Sequence, residues 1–379
     1  MGKSARSSPM PKSAAVKPPR ISGFSYVRPL GSGGFAQVYQ YEQDMPRRVV
    51  AIKVLGEDLA TASDRSAFEA EADAMARLSS HPSIVSIFSA SVSSDGRPYI
   101  AMEYCPESFR NRSKGSPVPL EQVLDAGVRL SGALETAHQS GVLHRDIKPS
   151  NVLLATTGRP VLADFGIVSL RGQMRGEGTS QAMSIPWAAP EVVSGQTSGT
   201  IASEIWSLGA TLYTFAAGRA PFASQDGKRQ TQEKLQERIM RAVYTPVPGA
   251  TGYEAFDAVI ARTLAKQPEQ RFASMREFGA ALQQLQLHYR FNVTPLDVIE
   301  SAWVTPPSAV RGVRGPTIST VQESSRAQKR AELAQQQRRD RTDEPRRSPS
   351  ALKPALIGAG SAVAVLGIAA VVFALMGGL

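Results

Sequence analysis

Apolar positions divide the chain into a strand-rich part followed by a helix-rich part. From Phe24 onward Val, Tyr and Ile alternate with polar residues, which is the period-2 pattern of half-buried strands. Between Ser66 and Leu78 the apolar residues recur at helical spacing, and residues 120–140 keep that spacing over a longer stretch. By themselves these patterns predict only a two-domain α+β protein.

A different pattern occupies the C-terminal end. Residues 355–376 contain no charged side chain, and a helix of that length rises about 33 Å, enough to cross a hydrocarbon core of about 30 Å. The alternative is a buried core helix. Because cations crowd the N-terminal flank, the positive-inside rule predicts a single span in the cell membrane, with the preceding chain in the cytoplasm and the C-terminus outside. These cations are Arg338, Arg339, Arg341, Arg346, Arg347 and Lys353.

The net charge of +10 is concentrated in two segments. Residues 1–20 carry +5 and residues 311–353 carry +6, so the rest of the 379 residues sum to about −1. We predict a flexible basic tail at residues 1–23 and a Pro-, Gln- and Arg-rich linker at residues 290–354. This distribution favours a membrane surface over nucleic acid as a partner. The single cysteine, Cys105, excludes an internal disulfide framework and is typical of a reducing compartment.

The eight residues from His144 to Asn151 hold a carboxylate, two cations and a carboxamide. Phosphate transfer uses all of these groups. Asp146 can orient a hydroxyl, Lys148 can neutralise the transferred phosphate, and Asn151 can bind a magnesium ion. Asp164, in an Asp-Phe-Gly sequence 13 residues after Asn151, is the second candidate metal ligand, because hard cations take oxygen ligands.

A glycine-rich turn precedes a strand that ends in a lysine. Residues 30–38 read LGSGGFAQV, and such a turn lets backbone N–H groups approach phosphates. Lys53 ends the apolar run at residues 50–53, where it can bind the same phosphates if a carboxylate holds it in place. Two residues on the following predicted helix compete for that role, Glu69 and Glu71.

These segments, in this order, resemble the bacterial eukaryotic-like (Hanks-type) serine/threonine protein kinases over residues 24–289. The resemblance implies a two-lobed α+β fold, with a small N-lobe of strands and one helix at residues 24–104 and a larger helical C-lobe at residues 105–289. It also implies that ATP binds between the lobes with Mg²⁺, Mn²⁺ being a second candidate ion, and that the γ-phosphate passes to Ser or Thr hydroxyls of proteins. Lys148 is typical of the Ser/Thr subclass.

Individual roles follow from the same resemblance. Lys53, Glu71, Asp146 and Lys148 would be catalytic, with Glu71 favoured over Glu69 by its register against the following His-Pro segment. Asn151 and Asp164 would hold the metal. Met102 would be the gatekeeper, and Ala36 replaces the third glycine of the family pattern. The residues that would line the ATP site are Leu30, Gly31, Ser32, Gly33, Gly34, Phe35, Ala36, Val38, Ala51, Lys53, Met102, Glu103, Cys105 and Leu153.

The polar segment that follows Asp164 resembles an activation loop. Thr179 and Ser180 would be its autophosphorylation sites, and Arg145 would pair with the phosphate. Relatives carry Asp at position 204, where it braces the catalytic loop, so the longer Glu204 is expected to shift part of that loop. The remaining structural residues are Ser184, which would bridge the catalytic Asp and Lys, and Glu191 with Arg271, which would form an ion pair.

Two other functions compete with an active protein kinase. A pseudokinase would be a membrane scaffold with weak or no phosphotransfer, but a scaffold does not need the complete catalytic set. A small-molecule phosphotransferase can share the Asp, Asn and metal-binding Asp. The Ala-Pro-Glu sequence at residues 189–191 argues against it, because this sequence shapes a groove for a peptide.

The predicted membrane span also carries a seam of mostly small residues. Positions spaced by four and three place them on one helical face, where two backbones can approach closely. We therefore expect homodimers through the span, the alternative being that Gly and Ala are simply frequent in membrane helices. The seam consists of Gly360, Ala364, Gly367, Val371 and Ala374.

Overall fold

The computed structural model describes most of the chain between residues 18 and 300. The predicted membrane span and most of the predicted linker and N-terminal tail lie outside the described residues. Within the described part, no helix is both long and apolar enough to cross a membrane. The described residues are 18–32, 36–55, 69, 72–109, 111, 116–165, 184–224, 231–249 and 251–300.

An antiparallel five-stranded sheet builds the N-lobe, in the order β1-β2-β3-β5-β4. Ala51 of β3 pairs with Met102 of β5, and Lys53 pairs with Val38 of β2. Since side chains alternate across a strand, Ala51 and Lys53 share one face of the sheet, while Val50 and Ile52 pack in the apolar cluster of the other. The strands are β1 Phe24–Ser32, β2 Ala36–Gln43, β3 Arg48–Leu55, β4 Ile87–Val92 and β5 Pro98–Glu103. Residues 72–78 are helical.

The C-lobe is helical and is built around two long buried helices. Trp206, Leu208 and Phe215 are fully buried in the central helix, which begins with a capping box at Thr200 and ends at Gly218, where φ is 71°. The helices are α1 Leu120–Gln139, α2 Pro190–Val193, α3 Ile201–Ala217, α4 Gln232–Arg241, α5 Glu254–Thr263 and α6 Met275–His288. A small sheet of β6 Glu107–Ser108, β7 Val152–Leu154 and β8 Pro160–Leu162 follows the hinge between the lobes. The two-lobed α+β fold predicted from the sequence is thereby confirmed.

The boundary predicted between the domain and the linker needs correction. The sequence places the start of the linker at residue 290, but residues 290–300 pack against the C-lobe. Thr294 is 5% exposed, and its hydroxyl donates to Asp125 Oδ1 over 2.8 Å. The nitrogen of Ile299 donates to the Thr136 hydroxyl at 3.0 Å. Phe291 and Leu296 also pack against the apolar cluster of the C-lobe. Because residues 291–300 form neither a helix nor a strand, sequence periodicity misses them.

The carboxylate of Glu204 joins the central helix to the catalytic loop. Its Oε1 accepts a hydrogen bond from the Arg145 nitrogen at 2.7 Å, and its Oε2 lies 2.6 Å from Nε2 of His138 on α1. Arg145 has a φ of 66°, a left-handed conformation that is costly for a residue with a side chain. The longer glutamate thus makes the brace expected of an aspartate, and it also reaches α1.

We predict that Glu204→Ala destabilises the protein and lowers its activity together. The substitution leaves two buried donors, on Arg145 and His138, without an acceptor, and each costs about 1–3 kcal/mol. Chemical denaturation measures the loss in the free energy of unfolding. The control is Glu269→Ala, which removes an exposed carboxylate of the same lobe and is expected to stay within about 0.5 kcal/mol of the wild type. Equal stability of the Glu204 and Glu269 variants would contradict the bracing role.

Candidate active site

The polar side chains of Asp146, Lys148 and Ser184 form a closed set, in which each side chain contacts the other two. Lys148 Nζ lies 2.7 Å from Asp146 Oδ2 and donates to the Ser184 hydroxyl at 3.0 Å. Ser184 in turn donates to Asp146 Oδ1 at 2.7 Å. The structure therefore brings Ser184 across 38 residues of sequence to touch both the Asp and the Lys. The Asp146 side chain is 28% exposed, so a solvent-side hydroxyl can still reach it.

Asn151 is fixed in one orientation beside this set. Its amide nitrogen donates to the Asp146 carbonyl at 2.8 Å and to Asp146 Oδ2 at 3.0 Å. With the nitrogen committed to these two acceptors, the amide oxygen points the other way, where the Ser150 hydroxyl lies at 3.3 Å. An outward amide oxygen is a suitable ligand for a hard cation.

Asp164 lies opposite, against the lysine of the N-lobe. Lys53 Nζ donates to Asp164 Oδ1 at 3.2 Å, which joins β3 to the segment after β8. The charge of Lys53 lowers the pKa of Asp164 below its usual range, so the carboxylate is ionised at neutral pH. With Asn151 this gives an all-oxygen pair of candidate ligands, the donor type that Mg²⁺ prefers.

The ring of His144 contacts the backbone at Asp146 and the backbone next to Asp164. Its Nδ1 accepts a hydrogen bond from the Asp146 nitrogen at 3.2 Å, and its Nε2 lies 3.0 Å from the Ala163 carbonyl, next to Asp164. The ring packs on Phe165 with centroids 4.5 Å apart. Burial lowers the pKa of His144, so the ring is neutral and its Nε2 carries the proton. His144 has no role in the prediction from sequence, although its place two residues before Asp146 is a signal.

An apolar cluster lines the cleft between the lobes, where the sequence predicts the adenine ring. Burial, with a smaller effect of the Glu103 charge, raises the pKa of Cys105 to about 12, so its thiol stays neutral. Glu103 ends β5 at the hinge. Six of the predicted ATP-site residues meet in this cluster, namely Leu30, Val38, Ala51, Met102, Cys105 and Leu153.

Several predicted site residues lie outside the described residues, or only their backbone is described. Gly31 and Ser32 end β1, and Ala36 begins β2. Glu69, the competitor of Glu71, is exposed at the helix surface. The predicted residues outside the described part of the chain are Gly33, Gly34, Phe35, Glu71, Thr179 and Ser180.

Arg271 and Glu191 form a bidentate ion pair inside the C-lobe. The distances from Arg271 to the two carboxylate oxygens are 2.6 and 2.9 Å, and the Arg271 side chain is fully buried. Arg271 also donates to the carbonyls of Ala202, Ala265 and Lys266. The pair joins the segment after residue 184 to the helices of the C-lobe, and its contacts are structural.

Comparisons with known proteins agree with this geometry. The protein kinase domain family matches residues 24–286. The chain is 37% identical over 270 residues to the serine/threonine-protein kinase PknK of Mycobacterium tuberculosis, covering 70% of this chain and 24% of that protein. It is 35% identical over 268 residues to the DNA damage-responsive serine/threonine-protein kinase RqkA of Deinococcus radiodurans, covering 68% of this chain and 38% of that protein.

A third relative is the serine/threonine-protein kinase PknJ of Mycobacterium tuberculosis, 34% identical over 278 residues, which are 69% of this chain and 45% of PknJ. The chain thus spans between about a quarter and a half of the length of these three relatives. Each match covers a little more than two thirds of this chain. With a family match over residues 24–286 of 379, the chain belongs to the protein kinase family.

Proposed function

We propose that this protein is a serine/threonine protein kinase that transfers the γ-phosphate of MgATP to Ser or Thr hydroxyls of proteins. The observation that carries the proposal is the closed set of Asp146, Lys148 and Ser184, with Asn151 and Asp164 beside it. The named relatives are serine/threonine kinases, which supports the same substrate class.

Each residue of the set has a defined part in this reaction. Asp146 accepts a hydrogen bond from the substrate hydroxyl and orients it towards the phosphate, and Lys148 neutralises charge on the phosphate in transfer. Lys53 binds the phosphates of the nucleotide from the N-lobe side. The oxygens of Asn151 and Asp164 would hold Mg²⁺, which when bound neutralises phosphate charge. The apolar cluster around Ala51 and Leu153 receives the adenine.

Substitution of Asp146 by Asn tests the proposal directly. We expect turnover to fall by about 10²–10⁴-fold, because the amide keeps the shape but cannot accept the proton. The assay follows labelled phosphate from ATP into a protein substrate, with the fold checked by circular dichroism. Asp44→Asn, an isosteric change in the exposed β2–β3 turn, should retain wild-type turnover. Equal phosphotransfer by the Asp146 variant would rule out this catalytic loop, and a wild type without phosphotransfer would favour the scaffold function.

We further propose that the kinase phosphorylates its own activation loop at Thr179 or Ser180. Two observations support this. Arg145 Nε is buried and has no hydrogen-bond partner among the described residues, so it can donate a hydrogen bond to a phosphate oxygen. Ser184 is excluded as the acceptor, because its hydroxyl is already bonded to Asp146 and Lys148.

We expect phosphatase-treated enzyme to start slowly and then accelerate during incubation with MgATP. The phosphate adds about −1.5 to −2 charges and orders the loop against Arg145. The double variant Thr179→Ala, Ser180→Ala should remain slow, whereas Thr156→Ala, at an exposed hydroxyl outside the loop, should show the normal lag. A full rate from the first turnover, without a lag, would refute this regulation.

We also propose that residues 355–376 anchor the kinase domain on the cytoplasmic side of the cell membrane and pair with a second copy. The support is the uncharged stretch of 22 residues, its basic flank, and the small-residue seam described above. Pairing would bring two kinase domains together, so that one could phosphorylate the activation loop of the other.

The full-length chain should stay in the membrane fraction after an alkaline wash. The double variant Val365→Arg, Leu366→Arg should be released, because each arginine costs about 2.5–3.5 kcal/mol at the centre of a span, whereas Ser350→Arg in the basic flank should not be. Cross-linking in the membrane should yield dimers that decrease in Gly360→Ile and Gly367→Ile. Release of the wild type by the wash would refute the anchor, and equal cross-linking in all three proteins would refute the pairing.

A further inference from the structure

The segment at residues 294–299, which we call the strap, continues beyond the matched kinase domain and crosses the back of the C-lobe. Its first residue is held by α6. The Thr294 nitrogen donates to Gln286 Oε1 at 2.9 Å, and Gln286 Nε2 donates to the Thr294 hydroxyl at 2.8 Å. Gln286 is 1% exposed. The buried Gln286 amide uses both a donor and an acceptor on Thr294, and this fixes the strap at its first residue.

Two helical glycines create the groove in which the strap lies. A Cβ at Gly132 of α1 would lie 2.1 Å from the carbonyl oxygen of Asp297, and a Cβ at Gly279 of α6 would lie 2.7 Å from Leu296 Cδ1. A glycine inside a helix costs about 1 kcal/mol relative to alanine. The missing side chains therefore make room for the strap at some cost to both helices.

Asp297 contacts the turn that follows the helical residues 72–78. Its carbonyl oxygen lies 2.9 Å from His81 Nε2, and its carboxylate accepts from Arg159 Nη2 at 2.6 Å. Arg159 also donates through Nε to the Ser83 hydroxyl at 3.1 Å. His81 Nδ1 accepts from the Ser83 nitrogen at 3.0 Å, so the proton is on Nε2 and is donated to the strap. Burial lowers the pKa of His81 and keeps this ring neutral.

Backbone hydrogen bonds connect this turn to the preceding helix and to β8. The His81 nitrogen donates to the Leu78 carbonyl at 3.0 Å, and the Val85 nitrogen donates to the Leu162 carbonyl of β8 at 3.0 Å. Met75 and Leu78 are almost fully buried in the same apolar cluster as Phe165. In the sequence, Glu71, the predicted partner of Lys53, is next to residue 72. A shift of the turn would therefore displace the helix relative to the nucleotide site.

We propose that Asp297 is a positioning residue, and that the strap holds the helix at residues 72–78 in the arrangement that binds MgATP. This proposal rests on the proposed kinase function only where it concerns phosphate transfer. Its expectation for the binding of MgATP does not require phosphate transfer. The hydrogen bonds of Asp297 go to His81 and Arg159 and not to a candidate catalytic or metal-binding residue, so it acts through these two side chains. The kinase domain of this chain would then include residues 287–300 as a working part.

The test uses the full-length protein with Gly132→Ala. The new methyl group meets the Asp297 carbonyl and must displace the strap, while alanine favours the helix itself, so a defect cannot come from a weaker α1. We expect the Kd and the KM for MgATP to rise about 3–10-fold, the range of a moderate coupling between sites. The KM for the protein substrate should not change. A loss of folded protein alone would lower turnover without changing either constant.

Two further variants keep the result interpretable. Asp297→Asn retains the backbone carbonyl that contacts His81 but weakens the side-chain bond to Arg159. We therefore expect a smaller rise in the Kd and the KM for MgATP. Asp44→Asn is the matched control with no contact to the strap. Hydrogen exchange should become faster at the amides of His81, Ile84 and Val85 in the Gly132 and Asp297 variants.

The outcomes separate the two proposals. If exchange rises at residues 294–299 in Gly132→Ala while the Kd for MgATP stays at the wild-type value, the positioning role is overturned. If Gly132→Ala does not fold, Asp297→Asn decides the question. An unchanged Kd for MgATP in that variant would also overturn the positioning role. Because the Kd does not require catalysis, a wild type that binds MgATP without transferring phosphate overturns the kinase function only. A wild type that does not bind MgATP overturns both.

Discussion

The catalytic loop of this protein depends on one buried carboxylate. Glu204 accepts the backbone hydrogen bond of Arg145, a residue held at positive φ, and contacts His138 on a second helix. Residues 142–147, which include Asp146, form no helix or strand that could hold this side chain in place by itself. Because the bond runs to a backbone nitrogen inside the C-lobe, the position of Asp146 is fixed by the core of the lobe and not by the exposed side of the loop.

A second set of contacts carries that position across the cleft. The neutral His144 bonds the Asp146 nitrogen on one side and faces the Ala163 carbonyl on the other, and it packs on Phe165. Lys53 then reaches Asp164 from the N-lobe. A proton on His144 Nδ1 would remove the acceptor for the Asp146 nitrogen, so burial, which lowers the pKa of this histidine, also protects the geometry of the site.

The strap adds a third connection, on the side of the domain away from the cleft. Its contacts to His81, Arg159 and Thr136 join the last described residues of the chain to the turn before β4, to the β7–β8 turn and to α1. Three sets of contacts thus support the active site. They are made by Glu204 on the central helix, by His144 and Lys53 at the cleft, and by the strap. The same residues that end the kinase domain also lead in sequence towards the basic linker.

The sequence by itself determined the local chemistry. Asp146, Lys148 and Asn151 lie within six residues, and the strands and helices of both lobes follow local periodicity, so both can be recognised without coordinates. Only the tertiary structure decided that Glu204 reaches two partners at once and that residues 290–300 pack on the C-lobe. Such contacts join positions up to 216 residues apart through single hydrogen bonds. The contacts of the strap also depend on an absent side chain at Gly132, and no local pattern records how closely two distant backbones approach.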